Sequence, residues 1–406
     1  MSKTAKATDA CNATAWDDLL SYLPAGWELK AHELKVMKGA RQDKNLSNTL
    51  RALFMHLGVG CSLKESAIRA KLAGLCNISS VALHGRLKKF GPFFQYLCAD
   101  FFEENRTAAL ADGMRIRLID ATDIQEPGDT GSKWRFHYSF TMPIMLCDFT
   151  KLSPTKGKGT AETFKQFPIN QGDLIIGDRG YSNANGVAYV KQCGGEVCVR
   201  HNPQALPLYL KDGSRFNVKN HLNLITCSGQ AKEWECWIKN TDNGSMIQGR
   251  ICVIRKTVEQ IAAAHKKLKR LASKKGHKLM DLTLLYNEYV ILVTTFDKEI
   301  FPLKKILDIY RWRWQIELVF KRFKSLLELG HLPKTNDESS RAWLYGKLLI
   351  AFLVEKISAR NGAFSPWCDD SAREHVREPL DDLRFYIAFD STLDSPPAQH
   401  YRNSYA

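Results

Sequence analysis

Several things are missing from this 406-residue sequence. It has no long apolar run. The longest, Leu348 to Val354, lies between Lys347 and Glu355 and is about a third of the roughly 20 residues that a membrane-spanning helix needs. Met1 to Asp18 contain no apolar stretch of the kind that directs secretion, so a cytoplasmic protein without a membrane segment is expected. Eleven cysteines include no Cys-x-x-Cys pair. A scattered, odd-numbered set such as Cys61, Cys76 and Cys98 fits reduced core thiols and argues against a zinc site or a disulfide framework. There is no internal repeat. Acid is also scarce: 43 Asp and Glu face 58 Lys and Arg, a formal charge of +15. Such an excess points to a polyanionic partner, nucleic acid first and an anionic membrane surface second. What remains, 44% hydrophobic and 25% charged, is ordinary globular composition and excludes wholesale disorder. At about 150 residues per domain, two or three domains are expected.

The first hundred or so residues read as helical. Leu46, Leu50, Leu53, Phe54 and Leu57 recur at helical spacing. Ser62-Leu-Lys-Glu65 matches a capping box opening a helix to about Leu72. After a turn at Gly74, Ser79 or Ser80 would cap a second helix carrying His84, Arg86, Lys88 and Lys89. A helix, a turn and a basic second helix fit a helix-turn-helix, with Arg86, Lys88 and Lys89 on DNA; two ordinary packed helices would read the same way. From Arg115 the period changes. Arg115 to Asp120, Trp134 to Phe140, Met142 to Phe149, Leu174 to Gly177 and Glu196 to Arg200 read as strands, and Asn183 to Gln192 as a helix, giving a mixed α/β region. Residues 201–286 read as a β-rich insertion with turns at Asp212-Gly213 and Asn243-Gly244, followed by a basic helix between His265 and Lys278. Tyr289 to Phe296 reads as a strand back in the α/β region. Helices are expected from about Leu303 to Leu329, ended by Gly330, and from about Ser339 to Ala359.

The helix from Leu303 carries the strongest chemical signal. With Tyr310 at zero and about 100° per residue, Arg313 falls at about 300°, Glu317 at about 340° and Lys324 at about 320°. Ile316, Val319, Phe320 and Phe323 fall between about 180° and 280°, the core side, and Trp314 flanks the polar stripe on its other edge. An acid between two bases can be a solvated salt-bridge ladder. Against that stand the adjoining Tyr and Trp, and an apolar face that would hold the stripe rigidly.

Tyr310, Arg313, Glu317 and Lys324, with two, three and six residues between them, reproduce the Tyr-Arg-Glu-Lys motif of insertion-sequence DDE transposases. The run Tyr310-Arg-Trp-Arg-Trp-Gln-Ile-Glu317 resembles the IS-four-like family, to which the Tn-five and Tn-ten transposases belong, as does Gly177-Asp178-Arg179-Gly180-Tyr181. The resemblance covers about residues 115–355. It implies a ribonuclease-H-like catalytic core in which Asp, Asp and Glu hold two Mg²⁺ ions, with Mn²⁺ able to substitute. Carboxylate oxygens suit Mg²⁺, and a metal pair can clamp the attacking and leaving oxygens of a phosphoryl displacement. Water and then a DNA 3′-hydroxyl could use the same site.

By resemblance Asp120, Asp178 and Glu317 are the catalytic, metal-holding trio. Asp120 ends the first strand and Asp178 the Ile175-Ile176 strand; Asp123 and Glu126 are rivals of the first, and Asp173 of the second. Tyr310, Arg313 and Lys324 would contact phosphates at the element end, and Trp314 a displaced base. Tyr286, Tyr289, Trp234 and Trp237 are further aromatic candidates, although packing is the commoner role for such residues. Arg179 and the basic segments 151–158 and 266–278, with Lys266, Lys267, Lys269 and Arg270, would meet DNA backbone. The expected layout is a helical DNA-binding domain (1–110), a ribonuclease-H-like core in two parts (111–200 and 287–336), the β-rich insertion between them (201–286), and a helical C-terminal region (337–406). The expected partners are double-stranded DNA, as terminal inverted repeats and target, and a second copy on paired ends. Trp343, Leu348, Leu349, Phe352 and Leu353 could give a dimer face or simply pack within the chain. A bacterial cytoplasmic location, on the nucleoid when bound, goes with this. Two alternatives remain: a ribonuclease-H-like nuclease without strand transfer, and a catalytically silent, domesticated DNA-binding regulator.

Overall fold

A computed structural model describes residues 16–40, 44–108, 114–125, 132–142, 146–157, 160–276, 278–313, 332 and 336–360. The principal helices are α1 (Leu46–Leu57), α2 (Leu63–Leu72), α3 (Ser80–Ala108), α4 (Ala184–Gln192), α5 (Val258–Lys275), α6 (Asp281–Asn287), α7 (Leu303–Arg311) and α8 (Asp337–Arg360). The strands are β1 (Arg115–Gln125), β2 (Ser132–Met142), β3 (Leu146–Pro154), β4 (Asp173–Gly177), β5 (Glu196–Arg200), β6 (Leu208–Tyr209), β7 (Ala231–Lys239), β8 (Met246–Arg255) and β9 (Tyr289–Thr294). The chain forms two compact units, one of residues 1–102, 126–129 and 322–406, the other of 103–125 and 130–321.

The first unit is helical. Asn45 caps α1 by accepting from the Asn48 N–H, and Ser62 caps α2 by accepting from the Glu65 N–H. Only that half of the expected capping box forms, because the Glu65 carboxylate turns to Arg69 at 2.8 Å, one helical turn on. Leu50, Leu53, Phe54 and Leu57 of α1 and Leu83, Leu87, Phe90 and Phe94 of α3 are buried together with α8. Gly346 lets α8 approach closely. A Cβ there would lie 2.6 Å from Leu57 Cδ1 and 3.3 Å from the Phe94 ring. Gly346→Val is therefore expected to lower stability by about 1–3 kcal/mol through overpacking, read from the denaturant midpoint of the full chain; an unchanged midpoint would mean that the helices separate at no cost. Trp343, Leu348, Leu349, Phe352 and Leu353 are all buried in this unit, so they do not form an exposed dimer face.

The second unit is mixed α/β. Its strands form a sheet in the order β3-β2-β1-β4-β5-β9-β8-β7-β6. β1, β2 and β3 pair antiparallel, whereas β1, β4 and β5 pair parallel. The parallel β4–β5 step needs a crossover, which α4 supplies, capped by the Asn183 side chain on the Gly186 N–H. β4 is buried throughout, as its unbroken Leu-Ile-Ile run requires of a central parallel strand. The strands of the 201–286 stretch join the same sheet through β8 and β9, and Ile251, Val253 and Ile238 share one core with Ile119, Ile175 and Val199. At the Asn243-Gly244 turn, Gly244 takes the positive φ of 74° that the sequence leads one to expect.

Two helix boundaries differ from expectation. α5 starts at Val258, before the basic run, because Thr257 and Gln260 form a full capping box. α7 ends at Arg311 with Trp312 as its C-cap, so an unbroken helical phase from Tyr310 to Lys324 does not follow. Trp314, Glu317 and Lys324 lie outside the described residues.

Candidate active site

The parallel ladder between β1 and β4 runs from Arg115↔Asp173 to Leu118↔Ile176. Two residues further along each strand come Asp120 and Asp178, so the register sets these carboxylates side by side where the ladder stops. Asp120 does not end its strand as expected. β1 continues to Gln125 because β2 keeps pairing with it, Asp120 opposite Tyr138; what ends, at Leu118, is the pairing with β4. Both side chains are half-buried. The Ala121 N–H donates to Asp120 Oδ1 at 2.8 Å and the Gly180 N–H to Asp178 Oδ1 at 2.7 Å. One backbone donor orients each carboxylate and leaves further lone pairs for another ligand. Burial, and next the charge of Asp178, push the Asp120 carboxyl up to about 7; the Ala121 N–H and Arg313 act the other way.

The rival carboxylates are occupied elsewhere. Asp123 makes a surface ion pair with Arg135 at 2.9 Å. Asp173 is buried with Arg115 at 2.6 Å and Arg117 at 2.9 Å. Glu126 lies outside the described residues. Among those residues no group of three or more His, Cys, Asp or Glu side chains converges as a metal cluster; the pair Asp120 and Asp178 stands with Glu162 near it.

Cations and a phenol surround the pair. Arg313 follows α7, acts electrostatically on Asp120 and lies over the Tyr310 ring at 5.9 Å. The Tyr310 hydroxyl is buried with no hydrogen-bond partner among the described residues. Burial first raises its pKa, with Arg313 opposing, and Asp178 and Arg200 also act on it. Arg179 follows β4 directly, and burial together with Arg200 lowers its pKa. Lys256, just beyond β8, is brought down to about 8 by burial and then by Arg200 and Arg179. Three cations thus crowd one another, and no described carboxylate lies within ion-pair distance of Arg179 or Arg200. Arg200 Nε is buried and unpartnered among the described residues. Sequence reasoning found Arg179 and missed Arg200 and Lys256, whose signal is a cation at or just past the end of a strand. It also missed Glu162, which reaches Asp178 from the loop before β4.

Other expected DNA contacts fare differently. Arg86 is buried, and its guanidinium donates to the Val36 and Lys38 carbonyls at 3.2 and 3.0 Å. It ties down the segment before α1 and is not presented to DNA. Lys89 also donates to the Lys38 carbonyl, at 2.5 Å, and Lys88 sits 3.9 Å from Glu338. The outward positions of early α3 are Val81, Ala82, Gly85 and Lys89, a weakly basic face for a recognition helix. Lys266, Lys267, Lys269 and Arg270 are exposed on α5, none of whose residues is buried. Tyr289 is buried with its hydroxyl on the Leu222 and Ile225 carbonyls, a packing role. Trp234 meets His221 edge-on and Tyr286 lies near His201. No helix among the described residues is long and apolar enough to cross a membrane.

Residues 111–353 match the family described as the transposase DDE domain, and the chain belongs to that family as a DDE transposase of the IS-four-like group. The InsL protein of insertion sequence element IS186A from Escherichia coli (strain K12) is 28% identical over 358 residues, 86% of this chain and 96% of that one. The transposase for insertion sequence element IS421 from Escherichia coli is 28% identical over 360 residues, with the same coverage. The transposase for insertion sequence element IS231C from Bacillus thuringiensis subsp. berliner is 26% identical over 274 residues, 61% of this chain and 57% of that protein.

Proposed function

We propose that the protein binds the terminal inverted repeats of an insertion sequence and, with Mg²⁺, cuts strands at those ends and joins them to target DNA. The observation that carries this reading is the register-matched pair Asp120 and Asp178 beside Arg313, Tyr310 and the Arg179–Arg200–Lys256 cluster. The strand order β3-β2-β1-β4-β5, three antiparallel and then parallel, supports a ribonuclease-H-like core. The donor set fits the metal: two carboxylates with lone pairs to spare are what Mg²⁺ usually takes from a protein, water and phosphate completing its shell. Asp120, Asp178 and, in this reading, Glu317 would hold the ions. Bound there, the metal would supply charge for the attacking and leaving oxygens of a phosphoryl displacement.

The chain's own groups then have distinct tasks. Arg179, Arg200 and Lys256, left without described counter-charges, would take phosphate oxygens flanking the cut and so relieve their mutual repulsion. The Tyr310 hydroxyl, unpaired and buried, would donate to one phosphate oxygen, and Arg313 would link that phosphate to Asp120. Lys324 and Trp314 would extend these contacts, on the phosphates and a displaced base. Lys266, Lys267, Lys269 and Arg270 would run along duplex backbone, each phosphate contact adding about 0.9 to the log–log salt slope. Replacing all four with alanine is expected to flatten that slope markedly in a filter-binding titration; a wild-type slope would leave α5 a solvated surface. A second copy on paired ends would let both ends be cut together.

The test is incubation of the purified protein with its element ends and Mg²⁺ or Mn²⁺, with mapping of nicks and joined products. Nicks at the ends followed by joining are expected, and none in excess chelator. Nicks without joining would favour a nuclease; no cutting despite tight, specific binding would favour a silent regulator.

A further inference from the structure

Tyr181 and Glu162 have no task in the scheme above. Tyr181 is 0% exposed, and its hydroxyl has no hydrogen-bond partner among the described residues. Its ring stacks on Phe164, centroids 5.2 Å apart and 27° between planes, and meets Phe167 at 6.0 Å and 61°. Two glycines create the space. A Cβ on Gly177 would lie 3.1 Å from both the Phe164 ring and Tyr181 Cβ. A Cβ on Gly180 would lie 2.4 Å from Glu162 Oε2 and 3.1 Å from Asp178 Oδ1. The Glu162 carboxylate therefore fills the room left by the missing Gly180 side chain, directly beside Asp178. Its cationic neighbour Arg135 stands 3.7 Å away and is closer to Asp123, at 2.9 Å. The charges acting on the Tyr181 hydroxyl are, in order, Asp120, Glu162, Asp178 and, in the opposite sense, Arg135.

Buried hydroxyls are nearly always hydrogen-bonded, and a phenol clamped between two rings cannot swing to solvent. Among the described residues nothing fills that role, and the negative charges that act on the hydroxyl are those of Asp120, Glu162 and Asp178. We propose that Tyr181 and Glu162 are positioning residues that hold a water molecule coordinated to the divalent cation at Asp120 and Asp178. This rests on the reading that Asp120 and Asp178 bind that cation. A water whose oxygen is committed to a metal has two hydrogens to donate. The Glu162 carboxylate and the Tyr181 oxygen accept one each. Such outer partners commonly change metal affinity about 10- to 100-fold when removed.

The measurement is Mn²⁺ binding to the full-length protein without DNA, followed by the electron paramagnetic resonance signal of free Mn²⁺. Tyr181→Phe removes one oxygen and keeps the stacked ring; Glu162→Gln keeps the shape and removes the charge. Each is expected to weaken Mn²⁺ binding about tenfold or more with the metal-free melting temperature unchanged or raised. Gly180→Ala, whose methyl would displace the Glu162 carboxylate, should weaken binding in the same way. Affinities within about twofold of the unaltered protein for both Tyr181→Phe and Glu162→Gln overturn the proposal, and loss in only one of the two overturns the shared water. Asp178→Ala separates the two levels. If that variant binds Mn²⁺ as the unaltered protein does, the cation site itself is misassigned; if it alone loses binding, only the roles of Tyr181 and Glu162 fall.

Discussion

Asp178→Ala protein is expected to bind element ends as the unaltered protein does and to cut them at least about a thousandfold more slowly. The magnitude follows from several kcal/mol of metal-supplied stabilisation at about 1.4 kcal/mol per tenfold in rate. Binding should survive because it rests on phosphate contacts from cations elsewhere, and those set affinity for duplex DNA. Asp123→Ala is the matched control. It removes a carboxylate three residues from Asp120, but one that is exposed and paired with Arg135; exposed pairs are worth about 0–1 kcal/mol. Single-turnover cleavage of labelled ends, beside a gel shift in Ca²⁺, reads both properties. Ca²⁺ suits the second measurement because it takes carboxylates in looser geometry than Mg²⁺. Comparable loss in Asp123→Ala with a working Asp120→Ala would reverse the assignment.

How much of this site was legible in the sequence depended on how local its causes are. Asp178 could be read because a four-residue apolar-and-Gly strand ends immediately before it, and burial of the whole of β4 follows from that run. Asp120 could be read as a residue but not in its setting, since the continuation of β1 to Gln125 depends on its antiparallel partner β2. The start of α5 is written in Thr257-Val-Glu-Gln260, a capping box eight residues ahead of His265, where the basic run opens. Arg86 could not be read at all. Its partners are two main-chain carbonyls about fifty residues away, and a carbonyl has no sequence signature. Glu162 and Tyr181 fall between these cases: the glycines at 177 and 180 signal a close approach, but only the folded chain shows that a carboxylate and a phenol make it.

Asp173→Ala is expected to destabilise the sheet unit by about 3–5 kcal/mol, the range for one partner removed from a buried ion pair, against a total of about 5–15 kcal/mol for a typical protein. Four charges lie together in that interior. Arg115 and Arg117 face Asp148 and Asp173, all at 2% exposure or less. Arg117 also donates to Ser139 Oγ and to the Pro168 carbonyl, and the Asn170 N–H donates to Asp173 Oδ2. The set is neutral as it stands, and removing Asp173 leaves two guanidinium groups with one carboxylate. The double variant Arg115→Ala/Asp173→Ala restores neutrality, so its loss should be smaller than the sum of the single losses. Thermal unfolding of the four proteins measures that difference. The consequence reaches the active site because Arg115↔Asp173 is the first rung of the parallel ladder whose continuation sets Asp120 beside Asp178. A slip of one residue would turn every side chain of a strand to the opposite face and part the two carboxylates. Any folded fraction of Asp173→Ala should therefore still cut at the same positions, since β4 has either the right register or none that is stable. An unchanged melting temperature, or simple additivity in the double variant, would show that the buried quartet does not hold this register.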